Sequence, residues 1–275
     1  MIAAVLGGAA YGALTVYRHI TTALISPGCQ AGSTEAGYSL DTDQAPVAAT
    51  IAGVAARMGL PAQALEIALA TALQESKLTN LPYGDRDSVG VFQQRPSEGW
   101  GTAAELQDPE FASTAFFKAL VKVPNYLKIP QYQAAQDVQH SADGSAYAQW
   151  QSTAQQLTTS YTARAHDLTC WYTPPASPKP EISSVQARLP QVFGPASTSE
   201  GSVMTSASAS ASTTAGLKVG VRPAAGWTVA NWLMTHASMY QLTKVSYDGW
   251  QWSASLTETS WQHVTGGDAG SILAS

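Results

Sequence analysis

From Val47 to His166, apolar residues return at helical spacing in one segment after another, with almost no strand-like alternation. Val47, Ile51, Val54, Ala55 and Met58 share one face of a helix that Gly59 stops. Pro61, at a first-turn position, opens a second helix that runs to about Thr79. Asn80 to Gly101 is rich in Gly, Asp and Pro and reads as a loop. Asp108-Pro109 is a cap and first-turn pair for a helix over Glu110 to Val123, and Gln131–His140 and Ser145–His166 have helical patterning too. The fold class expected is mainly α, with a helical domain over residues 46–172.

The flanks differ in composition. Residues 1–26 contain an apolar run, Met1 to Tyr17, interrupted by Arg18 and His19. It is shorter than the ~20 residues of a typical spanning helix and lacks a basic leader. It reads as a membrane anchor or uncleaved signal. Residues 27–45, rich in Gly, Ser, Thr and Asp, read as a linker. Residues 173–216 begin with Pro174, Pro175, Pro178 and Pro180 and end in a Ser/Ala/Thr tract, the composition of a disordered tether. Order returns in 217–275, expected as a small α+β module. It has an amphipathic helix over Trp227–Tyr240 and a hairpin whose two strands meet at Asp248-Gly249.

The formal net charge is −5 with scattered cations, which gives no basic footprint for nucleic acid. Charged residues make up only 12% of the chain, against about a quarter in an average soluble protein. The two cysteines, Cys29 and Cys170, bracket the helical domain at a spacing that excludes a zinc knuckle or redox CxxC pair. They are either two buried thiols or one disulfide, and the export-like N-terminus favours the disulfide. Closing so long a loop stabilises by roughly 4–5 kcal/mol in the chain-entropy model.

The helix Pro61–Thr79 carries two carboxylates in different phases. At about 100° per residue, Gln63, Glu66, Gln74 and Lys77 cluster on one narrow face, which makes Glu66 a surface group. Glu75 aligns instead with Ala64, Ala68 and Thr71, so it projects into the domain near the helix end. A carboxyl there is stripped of part of its hydration, as a general acid at neutral pH requires. The competing reading is a capped or salt-bridged structural Glu.

Gln74-Glu75-Ser76-Lys77-Leu78, followed by Asp85-Arg86-Asp87-Ser88-Val89-Gly90-Val91-Phe92-Gln93-Gln94, resembles the Glu-Ser and Ser-x-Gly-Leu-Met-Gln pattern of the soluble lytic transglycosylase and goose-type lysozyme superfamily. The segments ALATALQESKL and YGDRDSVGVFQQRPSEGWGT, with the later AYAQW run, are most similar to a group of actinobacterial secreted lysozyme-like proteins. The resemblance covers residues of about 46–170. Phe92 stands where Met is common, and the Asp-rich loop lacks the usual Asn-Pro spacing.

The resemblance implies a lysozyme-like fold acting on peptidoglycan glycan strands, with Glu75 as catalytic acid/base. It places Ser88, Gly90, Gln93, Gln94 and Tyr147 along the glycan, with Phe92, Tyr83 and Trp100 as apolar platforms or core. Family members also tend to carry a cysteine on each side of the domain. A hydrolase needs a second carboxylate, about 5–5.5 Å from the first if retaining or about 6.5–9.5 Å if inverting. Asp85 and Asp87 are the candidates, unless Arg86 stitches them into their loop. A lytic transglycosylase needs no such partner. The alternative to both is a non-catalytic scaffold that holds wall glycan or an envelope protein. No cofactor or metal is expected. His236 and His263 match no ligand spacing and read as surface histidines. The C-terminal segment weakly resembles a module of actinobacterial wall proteins related to zinc carboxypeptidase-like domains, without their metal-binding segments. It is expected to dock on wall or on an envelope protein. The location implied is the membrane, facing outside, or the cell wall.

Overall fold

The computed structural model describes residues 26–32, 37–140, 145–163, 166–197, 216–257, 260–266 and 269–275. The N-terminal anchor expected in residues 1–26 falls almost wholly outside them, as does the Ser/Ala/Thr tract of 198–215. Among the described residues no helix is long and apolar enough to cross a membrane.

The elements in order are β1 (Gly28–Ala31), β2 (Tyr38–Leu40), α1 (Gln44–Arg57), α2 (Ala62–Ser76), α3 (Ala103–Leu106), α4 (Pro109–Leu120), α5 (Gln131–Gln139), α6 (Ser145–Ala148), α7 (Gln151–Thr162), β3 (Leu168–Trp171), α8 (Ile182–Ser197), β4 (Leu217–Gly220), α9 (Pro223–Thr235), α10 (Ala237–Tyr240), β5 (Lys244–Tyr247), β6 (Trp250–Ser253), β7 (Gln262–His263) and β8 (Ser271–Ala274). The described chain is mainly α with two antiparallel sheets, ordered β2-β1-β3 and β4-β8-β5-β6-β7.

α1 and α2 are alanine-rich, and this lets their neighbours approach closely. α1 buries every residue from Ala45 to Ala55, and Ile51, Ala52 and Val54 are essentially inaccessible. Gly53 has no room for a side chain, because a Cβ there would lie 2.4 Å from Val192 Cγ1 of α8. α4 starts as its sequence requires: Asp108 accepts the Glu110 N–H at 3.0 Å and Pro109 occupies the first turn.

The first sheet corrects the linker expected over 27–45. β1 pairs with β2 and β3, and Cys29 faces Cys170 across the β1–β3 pair as a disulfide. These strands span three or four residues each, too few for alternation to stand out.

The C-terminal third corrects two further expectations. Within the expected tether, Ile182–Ser197 forms a helix, interrupted at Gly194, that buries Val185, Leu189, Val192 and Phe193. Residues 217–275 share the same core as the helical domain. The Trp232 indole of α9 donates to Thr50 Oγ1 of α1 at 3.3 Å, and Asn231 donates to the carbonyls of Ser160 and Tyr161 at 3.1 and 3.2 Å. β3 is an edge strand, and its carbonyls accept two more indoles: Trp252 Nε1 reaches Cys170 O at 2.8 Å, and Trp261 Nε1 reaches Leu168 O at 3.0 Å. Arg188 of α8 bonds Asp108, and Arg57 of α1 bonds Glu110 at 2.6 Å, so the start of α4 is tied to both helices. Burial raises the Asp108 carboxyl, but Arg188 and the Glu110 N–H outweigh it and hold it below the usual range.

His236 is buried, not a surface residue. Its ring stacks on Trp232 at 3.9 Å, and Nδ1 lies 2.8 Å from the Trp232 carbonyl. Burial pushes the imidazole down to about 3. Its unfolded value is near 6.5, so between those values the unfolded chain binds one more proton and stability falls as pH falls. His236→Phe keeps the stacked ring, and the Trp232 carbonyl still accepts the backbone N–H of residue 236. Denaturant melts from pH 7 to pH 4 should therefore show a shallower acid loss in His236→Phe than in wild type, by up to about 3 kcal/mol across the window. Parallel pH profiles would exclude a neutral buried imidazole.

Candidate functional site

The end of α2 carries the candidate acid. Ser76 is the last helical residue, and its buried Oγ donates to Val91 O at 2.7 Å. That bond joins the helix end to the segment 88–94. The turn that follows is built on two non-glycine left-handed residues, Lys77 (φ 56°) and Leu78 (φ 62°). Their N–H groups close on Leu73 O and Ala72 O at 3.2 and 3.1 Å. Side-chain-bearing residues in that region cost about 1–2 kcal/mol each. Complete burial of Leu78 and a bond from Gln44 Nε2 to Lys77 O, 2.8 Å, hold the turn in place. Left-handed residues also close α5 and α10, at His140 and Gln241, so the turn is a common form of helix end and does not by itself mark a function.

Glu75 is half-buried. The Tyr147 hydroxyl of α6 donates to its Oε1 at 2.7 Å, and Tyr147 is only 2% exposed. No cation reaches Glu75 among the described residues: Arg86 lies against Asp85 at 3.8 Å, and both side chains are exposed. Gln74, on the neighbouring face, accepts from Trp150 Nε1 at 2.9 Å and Gln149 Nε2 at 3.1 Å, while Lys77 Nζ sits 4.2 Å from the centre of the Trp150 ring. These contacts fix the α6–α7 junction, and with it Tyr147, against the end of α2. They also explain why the single helix expected over Ser145–His166 breaks around Trp150.

Glu66, expected on the surface, is half-buried and accepts a hydrogen bond from Gln131 of α5. Asp87 is bound by the Ser97 N–H at 2.7 Å and by Arg95 Nε at 3.0 Å. The Ser97 N–H is the main reason its carboxyl lies below the usual range. The loop is thus stitched through Arg95, not Arg86. Asp85 projects into solvent, with its side chain 91% exposed.

Ser88 is buried beside this loop. Gly90 adopts φ +79°, and a Cβ there would lie 2.3 Å from Leu106 O. Gly90→Ala is expected to lose about 1–3 kcal/mol from the backbone conformation alone, more with the clash. A thermal melt matching wild type would show that this turn tolerates rearrangement. Gln93, itself left-handed at φ 49°, turns its amide back onto Gly90 O (3.1 Å) and Tyr83 O (3.3 Å). Gln94 is 2% exposed and donates to Ala112 O of α4 at 3.4 Å. Phe92 is core, stacked on Phe116 at 4.5 Å. Tyr83 is exposed and Trp100 half-buried. Glu75, Tyr147 and Ser76 therefore converge, Gln93 and Gln94 face their own loop and the core, and Asp85 and Asp87 point elsewhere.

Among the described residues no group of His, Cys, Asp and Glu could hold a metal ion. No protein-family model matches the chain, and no curated protein is similar to it.

Proposed function

We propose that the chain is a lysozyme-like protein of the lytic transglycosylase type that cleaves peptidoglycan glycan strands at the cell envelope. The observation that carries this reading is the placement of Glu75: half-buried at the end of α2, met by the Tyr147 hydroxyl at 2.7 Å and next to Ser76, which bonds Val91 O at 2.7 Å. Glu66 of the same helix also has a neutral donor and no cation among the described residues, so what sets Glu75 apart is its place at the helix end, beside the bond from Ser76 to Val91 O.

In the first half of the reaction the Glu75 carboxyl gives its proton to the glycosidic oxygen, and the C1–O bond breaks. In the second half the carboxylate takes the proton of the same sugar's 6-hydroxyl while that oxygen bonds to C1, which closes a 1,6-anhydro ring and restores the acid. Tyr147 orients the carboxyl through Oε1. Asp87 is committed to Arg95 and Ser97, and Asp85 is turned to solvent, which favours this one-carboxylate route over hydrolysis. The Cys29–Cys170 disulfide fits an oxidising location outside the cytoplasm.

A second reading, a scaffold that holds glycan without cutting it, is favoured by the inward turn of Gln93 and Gln94, which removes two expected sugar ligands. Mass analysis of fragments released from purified peptidoglycan decides between them. Anhydro ends support the lyase, and reducing ends a hydrolase. No release where a known lytic enzyme works leaves the scaffold.

A further inference from the structure

The stretch from the end of α4 into the first turn of α5 carries three of the six large hydrophobic side chains that stand exposed among the described residues: Val121, Leu127 and Tyr132. We propose that this strip is a docking surface for an anionic lipid bilayer, separate from the apolar run of residues 1–26. The proposal goes beyond the lytic reading and does not rest on it.

The strip has a three-residue period. Val121, Pro124, Leu127 and Pro130 take the first place of successive triplets, and all four are exposed. Lys122, Asn125 and Lys128 take the second place and are exposed too. Val123, Tyr126 and Ile129 take the third and pack, half-buried, against the core. Bonds spanning three residues set this rhythm: the Val123 N–H meets Leu120 O at 3.0 Å, the Tyr126 N–H meets Val123 O at 3.3 Å and the Lys128 N–H meets Asn125 O at 2.7 Å. The third-place side chains anchor the strip, and the first-place apolar row is thereby presented to solvent. The row runs beside α5. Lys122 and Pro124 border a cleft with Asp137 and His140 at the end of that helix, and Pro130 leads into its start. α5 has nine residues, so the row is roughly 14 Å long.

An exposed apolar row is covered by protein or by lipid. A row one side chain wide falls well short of the roughly 800 Å² per partner that a stable protein interface buries. A bilayer asks for less: apolar side chains enter the headgroup boundary while lysines beside them reach the phosphates. The charges fit that cover. Residues 111–136 contain Lys118, Lys122 and Lys128 and no Asp or Glu, in a chain of net charge −5. Asp137 borders the cleft beside Lys122 and leaves the cations in excess. Exposed lysines alone would be ordinary for a surface. Here Lys122 and Lys128 alternate with the apolar row, and that alternation selects an anionic bilayer over a soluble polyanion, which has no use for the row.

The test uses the full chain with Val121→Cys carrying an environment-sensitive nitrobenzoxadiazole label, titrated with vesicles of phosphatidylcholine and phosphatidylglycerol in equal parts. The readout is local, so insertion of residues 1–26 elsewhere does not register. A label on Met239→Cys, exposed on α10, reports the background. The label at 121 is expected to brighten, shift to the blue and be quenched by nitroxides carried on the acyl chains. It should stay silent with pure phosphatidylcholine, and the label at 239 should stay silent throughout. Lys122→Gln with Lys128→Gln should weaken the response about 25-fold, at about fivefold per lysine near an anionic surface. Leu127→Ser should weaken it roughly tenfold. These side chains are exposed, so matched melting temperatures will confirm folding. A silent label at 121, an equal response to neutral vesicles, or a response that ignores Leu127→Ser overturns the proposal. The same response to inorganic polyphosphate without lipid assigns the strip to soluble polyanions and overturns it too. So does a blue shift that grows with protein concentration alone, which assigns the strip to a second copy of the chain. No peptidoglycan enters the assay, so failure here leaves the lytic reading untouched, and the reverse holds too.

Discussion

Glu75→Gln is expected to lower glycan release by at least about 10²–10⁴-fold, the usual contribution of a positioned acid or base, while the protein melts at the wild-type temperature. The substitution is nearly isosteric. A glutamine carbonyl oxygen still accepts from the Tyr147 hydroxyl that now meets Oε1 at 2.7 Å. The Ser76–Val91 bond and the left-handed turn at Lys77 and Leu78 do not depend on the side chain's charge. Only the transferable proton is lost. Tyr147→Phe separates orientation from proton transfer: it leaves the carboxyl in place without its donor, and a smaller fall in kcat with little change in KM is expected. Activity of Glu75→Gln near the wild-type level would remove Glu75 from the chemistry. A glutamine variant that also failed to fold would point to a structural carboxylate.

How much of this is legible in the sequence depends on the range of the signal. The 3.6-residue period marks α4 and α5, which bury one face, while α1 and α2 are buried on nearly all sides, and helical phase therefore does not separate Glu75 from Glu66, both half-buried. It cannot show that Glu66 meets Gln131, a contact 65 residues away in sequence. α8 is obscured by its prolines and by the tract that follows. Yet Ile182, Val185, Leu189 and Val192 recur at helical spacing and are a usable signal. Asp248-Gly249 reads directly as a hairpin turn, and both residues have positive φ, 50° and 78°. Gln93 and Gln94 escape the motif for a different reason. A motif records residue type, but the left-handed backbone at Gln93 decides which way each amide points, and nothing local in the sequence specifies that conformation.

The largest expected loss of stability follows from Trp232→Ala. This side chain is completely buried between α9 and the helical domain, with its indole bonded to Thr50, His236 stacked at 3.9 Å and Phe193 set edge-on at 6.2 Å. Truncating a buried tryptophan costs about 3–5 kcal/mol, and net stabilities are typically about 5–15 kcal/mol. At roughly 2–4 °C per kcal/mol for a chain of this size, a fall in Tm of about 10 °C is expected. The informative measurement is where the loss is felt. A separately folded C-terminal module would melt alone, leaving residues 46–172 protected from protease and amide exchange. The contacts of Asn231 with Ser160 and Tyr161, and of Trp252 and Trp261 with the carbonyls of β3, predict the opposite. Exchange protection in α1 and α7 should fall together with that in α9, in one transition. Two transitions, with α1 unaffected, would return the C-terminal segment to the status of an independent docking unit.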